Sequence, residues 1–222
     1  MFAAFGEITV PNPIVNRSNR SANRPSHEGA ANVIDEVTQM CLEGGFEKVL
    51  VRGDTDFSQT EHLDRWHQEG RIEFVFGYNA YACLKSRAEN LPSERWQELT
   101  HEYEEPVTNR RCKPTDVRAQ KVRERGYTQL RTRRQEVNEF DYQPTACRRP
   151  YRMVVVKKYI DVYKHGELID ETIRYFFFIT NDTQSTRSQI VESAHARCNQ
   201  ENLISQLKSG CYALWARVDT LP

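Results

Sequence analysis

The feature that most constrains the fold is a strand, a helix and a strand packed into about thirty residues between Lys48 and Gly77. Val49-Leu-Val is an apolar run too short for a helix, and Gly53 breaks it, so it reads as a buried strand ending at Asp54. Ser58-Gln-Thr-Glu61 has capping-box spacing and opens a helix that carries Leu63 and Trp66 and stops at Gly70. Ile72-Glu-Phe-Val-Phe-Gly77 supplies the second strand. Strands joined through a helix run parallel, and such crossovers are right-handed in nearly all cases. The chain is therefore α/β, and Asp54 sits at the carboxyl end of a strand, where open α/β sheets place their ligands. A strand-end Asp also serves as a turn former that caps the following loop, and Asp56 reads as such a turn residue.

Upstream, an amphipathic helix is expected from about Ser26 to Gly44, with Ala30, Val33, Ile34, Val37, Met40 and Cys41 as its apolar stripe and Asp35 off it, in solvent. Glu7-Ile-Thr-Val10 could begin a strand before that helix. Downstream, a helix is expected around Trp96, Leu99 and Tyr103, followed by a basic segment. Tyr151 to Tyr163, the turn Lys164-His-Gly-Glu167 and Leu168 to Ile179 read as a long β-hairpin, from their β-branched and aromatic content and the turn glycine. A polar link from Asn181 to Ser188 leads into a last helix that starts near Thr186 or Arg187.

That last helix carries Arg197, Glu201 and Lys208, which lie within roughly 60° of one another at helical spacing, while Leu203 and Leu207 point to the core side. By itself this reads as a surface helix with an ordinary i,i+4 ion pair.

Formal net charge is +0, unusual for a whole DNA-binding protein, but the charge is unevenly spread. Between residues 110 and 134 stand ten cations, Arg110, Arg111, Lys113, Arg118, Lys121, Arg123, Arg125, Arg131, Arg133 and Arg134, against Asp116 and Glu124. The run reads either as a phosphate footprint or as a solvated basic face offset by the acidic stretch Glu94 to Glu105. Tyr127 is its only aromatic residue, which favours backbone contact over base stacking. The six cysteines show no C-x-x-C spacing, and the sequence has neither a signal peptide nor an apolar run long enough to span a membrane, so free thiols in a reducing cytoplasm are expected. His62, His67 and His101 do not combine with cysteines at zinc-finger spacing, and His62 and His67 read as surface residues.

Taken together, Arg52-x-Asp54-Thr-x-Phe57 at a strand end and Arg197-x3-Glu201-x6-Lys208 far downstream resemble the DDE transposases of bacterial insertion sequences (DDE domain, group 1), most of all the insertion-sequence family numbered thirteen-eighty. Asn16-Arg-Ser-Asn-Arg-Ser-Ala-Asn-Arg-Pro25-Ser-His-Glu-Gly29, Tyr175-Phe-Phe-Phe-Ile-Thr-Asn-Asp182 and Gln200-Glu-Asn-Leu-Ile-Ser-Gln-Leu-Lys208 add to the likeness, which runs from about residue 8 to the end.

The resemblance implies an RNase H-like, retroviral-integrase-like α/β sheet interrupted by a β-rich insertion. Residues 1–92 and 183–222 would form the catalytic domain, and 93–182 the insertion. It implies Asp54 and Glu201 as the second and third acids of a triad holding Mg²⁺ or Mn²⁺, whose charge clamps the attacking and leaving oxygens of a phosphodiester. Arg197 and Lys208 would orient the strand. DNA, as transposon ends and as target, is the implied partner, with a second copy or a longer transposase as dimer partner, in a bacterial cytoplasm at the nucleoid. Two departures stand out. Ala194 occupies the place of the signature Tyr, and Asp35 is the only Asp upstream of Asp54, so the first acid and the first strands are expected to be missing, as in a fragment with little or no activity alone. A nuclease of the same fold, a non-catalytic DNA-binding remnant and an unfolded pseudogene product are the rival expectations.

Overall fold

The structure, a computed structural model, describes residues 2–5, 28–99, 125–165 and 167–195. The first helix, α1 (Ala30–Glu43), begins after Gly29, whose φ of 70° is left-handed. Ala30, Ala31, Ile34, Val37, Thr38 and Cys41 form its buried face. Met40 is 50% exposed, because Ile34, Val37, Thr38 and Cys41 already complete the i, i+3, i+4, i+7 set and Met40 lies about 100° away from Cys41. Nor is Asp35 left to solvent. Its Oδ1 accepts from Trp66 Nε1 at 2.8 Å and its Oδ2 from Arg65 Nη2 at 2.8 Å. At the border of an apolar stripe, a carboxylate is well placed to satisfy an indole N–H from a buried ring.

β2 (Lys48–Gly53) and β3 (Ile72–Tyr78) run parallel, with Val51 opposite Phe74 and Gly53 opposite Phe76. A 3₁₀ turn at Thr55–Phe57 and α2 (Thr60–Gln68) connect them, completing the crossover that the sequence requires. β1 (Phe2–Phe5) adds antiparallel to the other side of β2, Phe2 opposite Val51; the strand expected from Glu7 lies outside the described residues. The capping box expected at Ser58 does not form. Gln59 precedes α2 without a side-chain cap, and Ser58 Oγ donates back to Thr55 O at 2.8 Å, closing the 3₁₀ turn instead.

Side chains alternate across the paired strands. On one face Trp66 of α2 lies 5.9 Å from Phe76, which stacks at 5.5 Å on Phe74. The opposite face carries Leu50, Arg52 and Val75, and α4 (Arg187–His195), with Ile190 and Val191 buried, packs against both strands. Burial on both sides is the reason Val49 to Arg52 reads as a continuous run rather than an alternation.

Two compact units result. The first comprises Met1–Tyr78, Phe140–Met153 and Phe178–Pro222, the second Asn79–Glu139 and Val154–Phe177. In the first the strand order is β1-β2-β3, followed by the ends of β7 (Glu167–Thr180), β6 (Tyr151–Lys164) and β5 (Gln129–Tyr142). In the second it is β7-β6-β5-β4, formed by β4 (Gln97–Glu98), β5 (Gln129–Tyr142), β6 (Tyr151–Lys164) and β7 (Glu167–Thr180), with α3 (Ala82–Glu89) burying Leu84 and Ala88. The hairpin of β6 and β7 turns at His165, φ 53°, as expected. The helix expected around Trp96 and Leu99 is replaced by strand pairing. Gln97 stands opposite Val137, and Leu99 N–H donates to Gln135 O at 2.9 Å. β5, which contains Arg131, Arg133 and Arg134, was not anticipated as a strand.

Candidate active site and nucleic-acid interface

Asp54 leaves β2 in an extended conformation, φ −81° and ψ −169°. The strand's alternation therefore continues, and Asp54 shares the face of Arg52, the face that α4 covers. Its Oδ1 accepts the Asp56 N–H at 3.1 Å and caps the 3₁₀ turn, which orients the carboxylate and gives Asp56 the turn role expected of it. Two glycines make the turn fit. A Cβ on Gly53 would lie 2.7 Å from Phe57 Cβ and 3.0 Å from Phe76 Cδ1, and one on Gly77 would lie 3.0 Å from Thr55 N and 3.2 Å from the Asp54 carbonyl carbon. Phe57 thus folds back over the end of β2, and the Asp54–Thr55 peptide rests on β3. Asp54 itself stays partly exposed.

A separate set of bonds aims α4 at this strand end. Asn181, just past β7, accepts from Phe74 N–H at 2.9 Å and donates to Ile72 O at 2.8 Å, reading the backbone edge of β3 as a paired strand would. Asp182 Oδ1 then accepts from Gln184 N–H at 2.8 Å and Ser185 N–H at 3.0 Å, and Arg152 Nη1 donates to Asp182 O and Ser185 O at 3.1 and 2.7 Å. Burial works to raise the Asp182 pKa, but the hydrogen bonds from Ser185 and Gln184 and the Arg152 charge hold it below the ordinary value. Thr186 and Gln189 close a reciprocal capping box, with Gln189 N–H on Thr186 Oγ1 at 3.3 Å and Thr186 N–H on Gln189 Oε1 at 2.8 Å. Finally Arg52, 9% exposed, donates from Nη1 to Ser193 O of α4 at 3.0 Å, and burial lowers its pKa. A guanidinium stays charged even so. Arg52 therefore ties the strand that ends in Asp54 to α4. The signals for these residues were a charged side chain inside an apolar strand and a T-x-x-Q spacing. His195, in the last described turn, packs edge-on to Phe178 at 6.0 Å.

Glu201, Arg197 and Lys208 lie outside the described residues, as do Arg110, Arg111, Lys113, Arg118, Lys121 and Arg123. Arg125 is exposed. On β5, Arg131 and Arg133 share one face and Arg134 takes the other. Arg133 is ion-paired to Glu171 at 3.1 Å and Asp161 at 3.8 Å, Arg134 to Glu136 at 2.6 Å, and Arg131 lies over the Tyr163 ring at 5.0 Å. Much of the positive charge of this strand is thus compensated within the sheet.

Among the described residues no three His, Cys, Asp or Glu side chains converge as a metal-holding group, and no helix is long and apolar enough to cross a membrane. Cys41, Cys83 and Cys147 are free thiols, Cys41 and Cys147 buried; Cys112, Cys198 and Cys211 lie outside the described residues. His67 is half-buried, unlike the surface residue expected, with its ring edge-on to Tyr151 at 5.8 Å.

Comparison with known proteins gives one family match. The model described as transposase DDE domain group 1 matches residues 11–219. No curated protein matches.

Proposed function

Because the chain belongs to the transposase DDE domain family, group 1, we propose that it acts in DNA transposition, by metal-dependent phosphodiester hydrolysis and strand transfer on an RNase H-like sheet. One observation carries this reading: Asp54 leaves the sheet on the face that α4 covers, and Arg52 binds that strand to α4 at Ser193, eight residues before Glu201. In this reading Asp54 and Glu201 hold Mg²⁺ or Mn²⁺. The fit is chemical, since carboxylate oxygens are the hard donors these ions prefer, and Asp54 presents one at a strand end with its orientation fixed by Asp56 N–H. When bound, the ion supplies positive charge to the attacking and leaving oxygens of an in-line displacement. Arg197 and Lys208 orient the strand. Arg110, Arg111, Lys113, Arg118, Lys121, Arg123 and Arg125 hold DNA backbone, whereas Arg133 and Arg134 serve the sheet through their ion pairs. Residues 93–182 are the insertion between two parts of the catalytic domain.

The test is a Mn²⁺ titration of the protein bound to a duplex carrying the cognate element's end, with free Mn²⁺ read by electron paramagnetic resonance. Asp54→Ala and Glu201→Ala are each expected to weaken Mn²⁺ by more than about tenfold, since losing a ligand exceeds the 10–100-fold effect of its outer-shell partners. Mn²⁺ binding unchanged in both variants, with DNA binding intact, would replace this reading with a non-catalytic DNA-binding protein.

A further inference from the structure

The turn between β5 and β6 places Arg148 and Arg149 side by side, both exposed. Surface connections are ordinarily mobile, but this one is tied down along its length. Cys147 N–H donates to Pro144 O and Gln143 Nε2 to Cys147 O, each at 2.9 Å, while Cys147 Sγ donates to Thr60 O at 3.1 Å. Arg148 N–H and the Tyr151 hydroxyl donate to the two oxygens of Asp64, at 2.6 and 2.7 Å. Burial works to raise the Asp64 pKa, yet those two bonds and the Arg149 and Arg148 charges hold it low, so it stays ionised as an anchor.

Several other guanidiniums of the described residues are engaged within the protein. Arg52, Arg65, Arg71, Arg133, Arg134 and Arg152 all donate to or pair with protein acceptors. Among the described residues, neither the Arg148 nor the Arg149 guanidinium has a hydrogen-bond or ion-pair acceptor, and both oxygens of Asp64, which feels both charges, are taken by Arg148 N–H and Tyr151. Two adjacent cations that rise from a fixed backbone, and whose guanidiniums have no internal acceptor, suit an external anion. The anchor is α2, whose first residue, Thr60, follows Asp54 by six residues, and all these groups belong to the first unit.

We propose that Arg148 and Arg149 form a preorganised contact to the phosphate backbone of duplex DNA, independent of base sequence. This rests on the DNA reading above and adds a second contact outside the 110–134 run.

Fluorescence anisotropy of two labelled duplexes, one with the element's end and one of arbitrary sequence, titrated at several KCl concentrations, tests it. Each phosphate contact contributes about 0.9 to the slope of log affinity against log salt. Arg148→Gln/Arg149→Gln is expected to weaken both duplexes alike and reduce the slope by about two. Arg148→Lys/Arg149→Lys retains the slope, and the charge-matched control Lys164→Gln/Arg174→Gln leaves it unchanged. The turn is expected to stay folded in every variant, because its hydrogen bonds to Asp64 come from the Arg148 backbone N–H and the Tyr151 hydroxyl and use neither guanidinium. A parental slope in the double Gln variant overturns the proposal alone; failure of the parent to bind either duplex overturns the DNA reading with it.

Discussion

Gly77 fixes how closely β3 approaches the candidate acid, because a methyl group there meets the backbone at Thr55 N and the Asp54 carbonyl carbon rather than a yielding side-chain tip. Gly77→Ala is expected to cost about 1–3 kcal/mol in urea unfolding, the range for overpacking, and to shift Asp54. Its Mn²⁺ affinity should therefore fall along with stability; full affinity in a destabilised variant would separate the turn from the acid's position. Arg52 gives a second prediction. Arg52→Ala removes a hydrogen bond from a charged donor, about 1.5–3 kcal/mol, and also the packed aliphatic stem. Arg52→Met keeps the stem and should lose less, so equal losses would mean that the stem contributes nothing. Asp54 could be read from sequence because a glycine breaks an apolar run just before it. The role of Arg52 could not, because its acceptor Ser193 lies 141 residues away.

Two segments with the same capping-box spacing behave differently at the scale of elements. Thr186 and Gln189 close a box and start α4, whereas Ser58 turns back to Thr55 because Asp54 has already begun a 3₁₀ turn there. Thr186→Ala and Gln189→Ala should each cost about 1 kcal/mol, and less than additively together, since each bond supports the other. Ser58→Ala should stay within about 0.5 kcal/mol, as for a surface change. Thermal or urea unfolding of the four variants separates these outcomes, and a Ser58 loss as large as that of Thr186 would contradict the geometry. The crossover and the hairpin were legible because their periodicity and turn residues are local. β5 was not, because Arg133 is balanced by Glu171 on β7 and Asp161 on β6 and Arg131 lies over Tyr163 of β6, and cross-strand pairing leaves no trace in linear order.

Across the molecule, net charge near zero leaves pH sensitivity to individual groups rather than to overall repulsion. Asp64 joins α2 to the β5–β6 turn, Asp182 joins β7 to the start of α4, and both are held below the ordinary carboxylate value of 3.8 in the folded protein. A lowered folded-state pKa means that the unfolded chain takes the proton first as pH falls. The stabilisation is thus fully present above about pH 4 and is lost as pH drops through the folded values. His67 acts earlier. Burial, then the Arg149 charge, lowers its pKa below 6.5, so protonation begins to favour the unfolded chain once pH passes under that value. Urea midpoints should therefore decline gently below about pH 6.5 and steeply below about pH 4. Asp64→Asn and Asp182→Asn should lower stability at neutral pH and flatten the steep limb, while His67→Gln removes only the gentle one. Acid limbs that run parallel to the parent in both Asn variants would mean that neither carboxylate gains from folding, and that other groups hold α2 and α4 against the sheet.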